Sequence, residues 1–198
     1  MAQVEPHIET DGRRLRAVRS RDQIVDAMLA LVGEGDMNPS AAQVAERAQV
    51  GLRSVFRHFE DMDALYREMR TRIEAEILPI ISAPFEARDW RGQLDELLRR
   101  RATMYDRLLP YRVAGSIRRF QSDYLMREQA QARAYEFAAV KTILPKSVLA
   151  DAVCVAALEH ATGFEAWRGL RQDQGLTRKR TEEAIRRLVE GLVGPLER

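Results

Sequence analysis

Cysteine and histidine are scarce in this chain of 198 residues: it has one cysteine, Cys154, and three histidines. A single cysteine excludes an internal disulfide and is typical of a protein from a reducing cytosol. The sequence has no Cys/His cluster, no glycine-rich phosphate loop and no nucleophile paired with a base in a known motif. We therefore expect no metal, no cofactor and no enzymatic activity.

Long apolar runs are also missing. No stretch reaches the roughly 18 apolar residues that a membrane span needs, and no signal-peptide run opens the chain. We expect no membrane partner. Lysine occurs only at Lys141, Lys146 and Lys179, so arginine carries nearly all the positive charge of a chain whose net charge is +2. Arginine suits phosphate and equally suits helix-surface ion pairs, so its distribution has to decide between the two.

Period-two alternation of apolar residues is absent over any useful length, and the sequence predicts an all-α protein. Apolar residues recur at helical spacing, with prolines and glycines predicted to end the helices. The predicted helices cover residues 20 to 33 or 35, 40–48, 52–59, 60–79, 90–109, 111–120, 123–144, 146–170 and 177–193.

The stretch SAAQVAERAQVGLRSVFRHF, residues 40–59, predicts two short helices joined by a tight corner. Ser40 is placed to cap the first helix, and Val50 and Gly51 form the corner. The inward faces are predicted to be Val44, Ala45 and Ala48 on one helix, and Leu52, Val55, Phe56 and Phe59 on the other. Helices this short are marginal alone and need packing against neighbours. This is a helix-turn-helix arrangement, whose second helix enters the major groove of DNA.

Polar side chains on the outward face of the second short helix are the candidate DNA-binding residues. Arg53, Ser54, Arg57 and His58 project there, with Ser40 as a further phosphate donor. Residues 1–19 are predicted to be a disordered basic arm, since RRLRAVRSR, which follows the unpatterned start and includes Arg19, has five arginines and no acid. A solvated helix face, an inert tail and a purely structural His58 remain the alternatives.

The run PSAAQVAERAQVGLRSVFRHFEDMDALY resembles the signature of the TetR-type transcriptional repressors over roughly residues 18–66. In that family a serine or threonine opens the second helix, an "IAxxAGVS" core follows, and "LYxYFxxKexL" closes the motif. Four positions depart from it: Gln49, Gly51, Phe56 and Met62 stand where the family usually has glycine, serine, tyrosine and lysine. The last two normally contact phosphates, so the resemblance implies weaker phosphate binding unless Arg57, His58 and the basic arm compensate.

The resemblance implies that the C-terminal helices form a dimer, and two apolar stripes fit this role, although either could equally face the domain's own core. The candidate interface residues are Ala157, His160, Ala161, Phe164, Trp167, Ile185, Leu188, Val189 and Leu192. The resemblance also implies an effector pocket among the C-terminal helices. Its candidates are Met104, Tyr105, Leu108, Phe120, Tyr124, Tyr135 and Phe137, each of which could instead be an ordinary core or surface residue. Without a cluster of charges to mark a polar ligand, we expect an apolar or aromatic one.

The sequence thus predicts a helix-turn-helix DNA-binding domain at 20–66 and a helical effector-binding and dimerisation domain at 67–198. The predicted function is a homodimeric, cytoplasmic and nucleoid-associated regulator, a repressor that a small-molecule effector releases from a palindromic double-stranded DNA operator. The alternative is a helical carrier of an apolar ligand that does not bind DNA.

Overall fold

The computed structural model describes residues 8–194, together with the side chains of residue 12 and of residues 14–194. It is all-α in that range, as the sequence predicts. The ten α-helices are α1 (Ile8–Gly33), α2 (Ala41–Arg47), α3 (Leu52–His58), α4 (Met62–Ser82), α5 (Trp90–Arg118), α6 (Asp123–Lys141), α7 (Lys146–Leu149), α8 (Ala152–Thr162), α9 (Phe164–Arg168) and α10 (Arg178–Val193). A 3-10 turn, Arg119–Gln121, follows α5, and a π-helical turn, Gly169–Asp173, follows α9.

Helix α1 begins twelve residues before its predicted start at residue 20. The prediction of a disordered arm over 1–19 is therefore wrong for residues 8–19, and residues 1–7 lie outside the described part. The Asp11-Gly12 pair favours a turn, but arginine, leucine and alanine dominate the following turns and are good helix formers. Arg16 also donates from Nε to the carbonyl of Gly12, 3.1 Å away within this first stretch.

Two prolines lie inside helices instead of ending them. Pro79 falls within α4, and Pro110 falls within α5, so the predicted helices 90–109 and 111–120 are one helix. A proline removes one backbone hydrogen bond, and the apolar period on both sides outweighs that loss here. At 146–170 the sequence predicts one helix where the structure has several. Asp151 caps the start of α8, and Gly163 separates α8 from α9.

The chain divides into two compact units. The first comprises Met1–Ile73 and Pro110–Ser122, and the second comprises Glu74–Leu109 and Asp123–Arg198. Two of the three division points, 73/74 and 109/110, fall within helices, and the third, 122/123, lies at the start of α6. None of them coincides with the boundary at 66/67 that the sequence predicts.

The first unit has an apolar core in which α1 packs against α2 and α3, and α2 against α3. The buried apolar residues of this unit are Ile24, Val25, Ala27, Met28, Val32, Val44, Ala45, Ala48, Val55, Phe59, Leu65, Tyr66, Met69 and Ile73, with Tyr111 and Ala114. The inward face predicted for α2, Val44, Ala45 and Ala48, is confirmed. Gly35, at φ +105°, makes the turn after α1 in a conformation that glycine adopts easily.

The second unit has its core around Tyr105, Phe164 and Trp167. The rings of Tyr105 and Phe164 pack edge to face, with their centroids 5.6 Å apart. Two charged residues, Arg101 and Glu136, are buried there. Arg101, 4% exposed, donates from NH1 to the carbonyl and hydroxyl oxygens of Thr162 at 2.9 and 2.8 Å, and from NH2 to the carbonyl of Glu136. These bonds tie α5 to α6 and α8. None of the described helices is long and apolar enough to cross a membrane.

Candidate functional site

Helix α2 starts at a reciprocal capping arrangement between Ser40 and Gln43. The Gln43 N–H donates to Ser40 Oγ at 3.3 Å, while the Ser40 N–H and hydroxyl both donate to Gln43 Oε1 at 2.9 and 2.7 Å. Gln43 Nε2 reaches on to Asp36 at 2.9 Å. The capping role predicted for Ser40 is confirmed, and its hydroxyl proton is already engaged in the folded protein.

The corner between α2 and α3 depends on an unusual backbone conformation. Gln49 has φ +55°, in the left-handed region that favours glycine, and the Val50 N–H closes the turn onto the carbonyl of Ala45 at 3.0 Å. Gly51 caps α3 with extended backbone and no side-chain hydrogen bond, and a Cβ placed on it would meet open space. Two of the four departures from the TetR-type signature therefore lie at this corner. Gln49 has a strained backbone, and Gly51 is an N-cap residue that provides no side-chain hydrogen bond.

Helix α3 buries one stripe and exposes the rest. Val55 is buried and Phe59, just after the helix, is buried in line with it. Leu52 and Phe56, predicted to face inward, are 46% and 51% exposed. The prediction was wrong because two helical turns offer the core only a narrow arc, and Val55 and Phe59 fill it.

Arg53 and Arg57 project from the exposed side of α3, as predicted. Within residues 8–194 neither guanidinium has a carboxylate within ion-pair distance; Arg57 NH2 lies 3.3 Å from the hydroxyl oxygen of half-buried Ser54. Helix α3 itself, LRSVFRH, contains no acid. Its outward surface therefore carries two positive charges that the fold leaves uncompensated.

His58 is held more tightly than the sequence suggests. Its Nε2 is buried and lacks a hydrogen-bond partner among the described residues, so this atom does not reach a phosphate in the present conformation. Burial lowers the pKa of the imidazole, and the nearby charges of Arg57 and Arg21 lower that pKa further. His58 is accordingly neutral at pH 7, and the predicted role as a phosphate donor through Nε2 does not fit this geometry.

Arg21 fixes the end of α3. Its NH1 donates to the carbonyl of His58 at 2.9 Å, its NH2 pairs with Glu68 at 2.5 Å, and its guanidinium lies 4.4 Å above the ring of Phe59. This side chain, at the end of the run RRLRAVRSR and just after the predicted basic arm, connects α1 to α3 and α4. Sequence spacing alone did not reveal it, since its partners lie 37 and 47 residues away.

Other arginines of the first unit are also neutralised within the fold. Arg72 pairs with Asp22 at 2.5 Å and with Asp26. Arg47 forms a two-pronged pair with Glu34, and its hydrogen bond is the main reason that the pKa of the Glu34 carboxyl falls below its usual range. Arg19, the candidate DNA-binding residue of the predicted basic arm, is exposed on α1.

The predicted dimer stripes lie partly in the chain's own core. Ala161, Phe164, Trp167, Ile185 and Val189 are buried within the second unit, so they cannot form a subunit interface in this conformation. Leu188, 51% exposed, and His160 face outward, while Ala157 and Leu192 are half-buried. The predicted stripe over 157–167 crosses Gly163, which separates α8 from α9, and it groups exposed His160 with buried Ala161 and Phe164. Its members therefore do not share one helical face.

The predicted pocket residues do not converge. Met104 and Tyr105 are buried and Leu108 packs against the same core, whereas Phe120 and Tyr135 are 75% and 73% exposed and therefore line no interior cavity. The remaining two, Tyr124 and Phe137, are half-buried, and the Tyr124 hydroxyl lies 3.2 Å from Glu128.

A shallow cleft beside Tyr105 is lined by Arg101, Thr162, Trp167 and Ile185 and has room for about one water molecule. No group of described histidine, cysteine, aspartate and glutamate side chains is arranged to hold a metal ion.

Comparison with solved structures finds a similar fold in a transcriptional regulator from Rhodococcus sp. Rha1, with a TM-score of 0.60. The superposition covers 90% of this chain and 96% of that one, at 14% sequence identity. The two chains therefore share an all-α fold along nearly their whole length. No family model matches the sequence, and no curated protein matches it.

Proposed function

We propose that this protein is a homodimeric DNA-binding transcriptional regulator of the TetR type, and that α3 reads the major groove. The observation that carries the proposal is the outward face of α3 at a helix-turn-helix corner, where Arg53 and Arg57 stand exposed and have no carboxylate partner among the described residues. The likeness of the fold to a transcriptional regulator supports it. An arginine fork binds the O6 and N7 of guanine, and hydroxyls such as that of Ser54 bind bases or phosphates.

The dimer interface that we propose uses the outward faces of α8 and α10. On α8, Val153, Ala156 and His160 are exposed, and on α10, Leu188 and Gly191 are exposed. Val153 is 81% exposed and Leu188 is 51% exposed, so each of the two helices carries an apolar side chain on its outward face. A two-fold pairing of this surface would present two α3 helices to half-sites one DNA turn apart, about 34–36 Å.

Sedimentation tests this interface through the variant Leu188→Glu. We expect the wild-type protein to sediment as a dimer and Leu188→Glu as a monomer, because a buried unpaired carboxylate is costly. Leu78→Glu is the matched control, since Leu78 is a similarly exposed leucine, 57% exposed on α4. A dimer that survives Leu188→Glu at micromolar concentration would rule out this interface.

The proposed regulation is repression relieved by a small apolar or aromatic effector. The second unit supplies the site, with Tyr105 as its centre, because this ring lies both in the core and on the cleft. Effector binding there changes the spacing of the two α3 helices in the dimer and so releases the operator.

The test is a salt titration of binding to the DNA upstream of the protein's own gene, with random-sequence DNA as competitor. We expect tight binding that resists the competitor and weakens steeply with salt, by a slope of about 0.9 per phosphate contacted. Absence of any DNA binding at low salt would overturn the proposal and favour a carrier of an apolar ligand. Binding without sequence preference would support a DNA-binding surface on α3 and would contradict the recognition of a specific operator.

A further inference from the structure

The outward face of α3 carries two apolar side chains beside its arginines. Leu52 and Phe56 are four residues apart, so they lie one above the other along the helix, and both are about half exposed. Arg53 and Arg57 form the adjacent row, one residue further on in each case. The surface is therefore composite, with an apolar row and a cationic row side by side.

Single exposed apolar residues are ordinary, but an exposed phenylalanine and leucine stacked on a seven-residue helix are not explained by the fold. The core arc of α3 is occupied by Val55 and Phe59, and nothing in the described part of the chain covers the Phe56 ring beyond half. Phe56 also lacks the hydroxyl that a tyrosine would offer to a phosphate. Its value at this position has to come from apolar contact.

We infer that Phe56, supported by Leu52, contacts the 5-methyl group of thymine in the major groove and makes thymine a required base of the operator half-site. This inference rests on the proposed function. Thymine is the only one of the four bases with a methyl group in the major groove, and apolar side chains are the ones that recognise it. The unpaired charges of Arg53 and Arg57 provide the complementarity that brings this row against DNA.

Helix geometry makes the two readings compatible. Arg53 and Phe56 are three residues apart, which is about 4.5 Å along the helix axis. Successive bases on a strand are separated by about 3.4 Å. An α3 that places Arg53 on a guanine therefore places Phe56 on a neighbouring base pair, and the half-site combines guanine with an adjacent thymine.

The experiment starts from duplexes that the full-length protein selects from a random library, in which each thymine is then replaced singly by deoxyuridine. This replacement removes only the methyl group. At one or two positions per half-site we expect affinity to fall about fourfold, the effect of one buried methyl. In Phe56→Ala the same replacements should cost nothing, because the contact is already lost.

Phe120→Ala is the matched control, since Phe120 is an exposed phenylalanine of the same compact unit. It should keep the full deoxyuridine sensitivity. Selected sites without a methyl-sensitive thymine, or a sensitivity that persists in Phe56→Ala, would overturn the inference while leaving DNA binding intact. If the edge of the Phe56 ring contacted a phosphate instead, Phe56→Ala would weaken binding equally on every duplex, and this result would overturn the inference. Failure to select any sequence would remove the proposed function together with the inference.

Discussion

The arginines of the first unit fall into two groups that differ in whether they bind carboxylates. Arg21, Arg47 and Arg72, on α1, α2 and α4, are all bound to carboxylates within the first unit. Arg53 and Arg57 on α3 are not, although they are the same residue type in the same small bundle. In a chain where arginine supplies nearly all the positive charge, charge density therefore says little, and the pairing state separates structural arginines from candidate DNA readers.

The second unit offers the extreme case of a structural arginine. Arg101 is buried, and its three hydrogen bonds join α5 to one carbonyl of α6 and to the carbonyl and hydroxyl oxygens of Thr162 on α8. A solvent-facing arginine gains little from its pairs, whereas a buried one becomes costly to remove.

The largest effect should come from Arg101→Ala. This change deletes three hydrogen bonds and leaves buried carbonyls short of a donor, so we expect the second unit to lose about 3–5 kcal/mol of unfolding free energy. Urea denaturation followed by tryptophan fluorescence measures it, since Trp167 is buried beside this site. Arg99→Ala, on the same helix but largely exposed, should cost under about 0.5 kcal/mol. Equal losses in the two variants would contradict the distinction.

The next largest effect should come from Arg53→Ala, which tests an arginine that is exposed on α3. We expect about 1–3 kcal/mol weaker operator binding with relaxed preference at one or two positions, and a stability change within about 0.5 kcal/mol. The control is Arg47→Ala, which removes an exposed but paired arginine. Uniform weakening on all sequences would show that Arg53 contacts phosphate alone.

The smallest effect concerns the corner that presents α3. Gln49→Gly should stabilise the protein by about 1 kcal/mol, because a left-handed backbone strains any residue with a Cβ. Gln23→Gly, at an exposed site inside α1, should have the opposite sign with a similar size. Thermal unfolding of the pair checks both signs, and destabilisation by Gln49→Gly would mean that the glutamine side chain makes a compensating contact.

The sequence alone predicted the helix-turn-helix elements well because their signals are local. The Ser40 cap, the Val44 and Ala45 face and the Val55 and Phe59 stripe all follow from spacing within a few residues. It failed where the outcome depends on which neighbour packs against which face. The exposure of Phe56 and the burial of Ala161 are decided by tertiary packing that a helical period does not specify.

The pocket prediction failed for the same reason, and most clearly at Phe120 and Tyr135. Aromatic residues indicated which part of the chain could form a pocket, but the sequence did not show which face of each helix points inward. Arg21 escaped notice as a clamp because its partners are distant in sequence, and the arginine-rich run around it suggested solvent.

The cleft beside Tyr105, which has room for about one water molecule, sets a condition on any effector that enters there. A larger molecule binds only those members of the population in which the surrounding side chains have already moved apart. Its apparent dissociation constant is then the intrinsic one divided by the fraction of protein in that open form. A substitution that loosens the packing around Tyr105 would therefore raise apparent affinity without adding a single contact to the ligand.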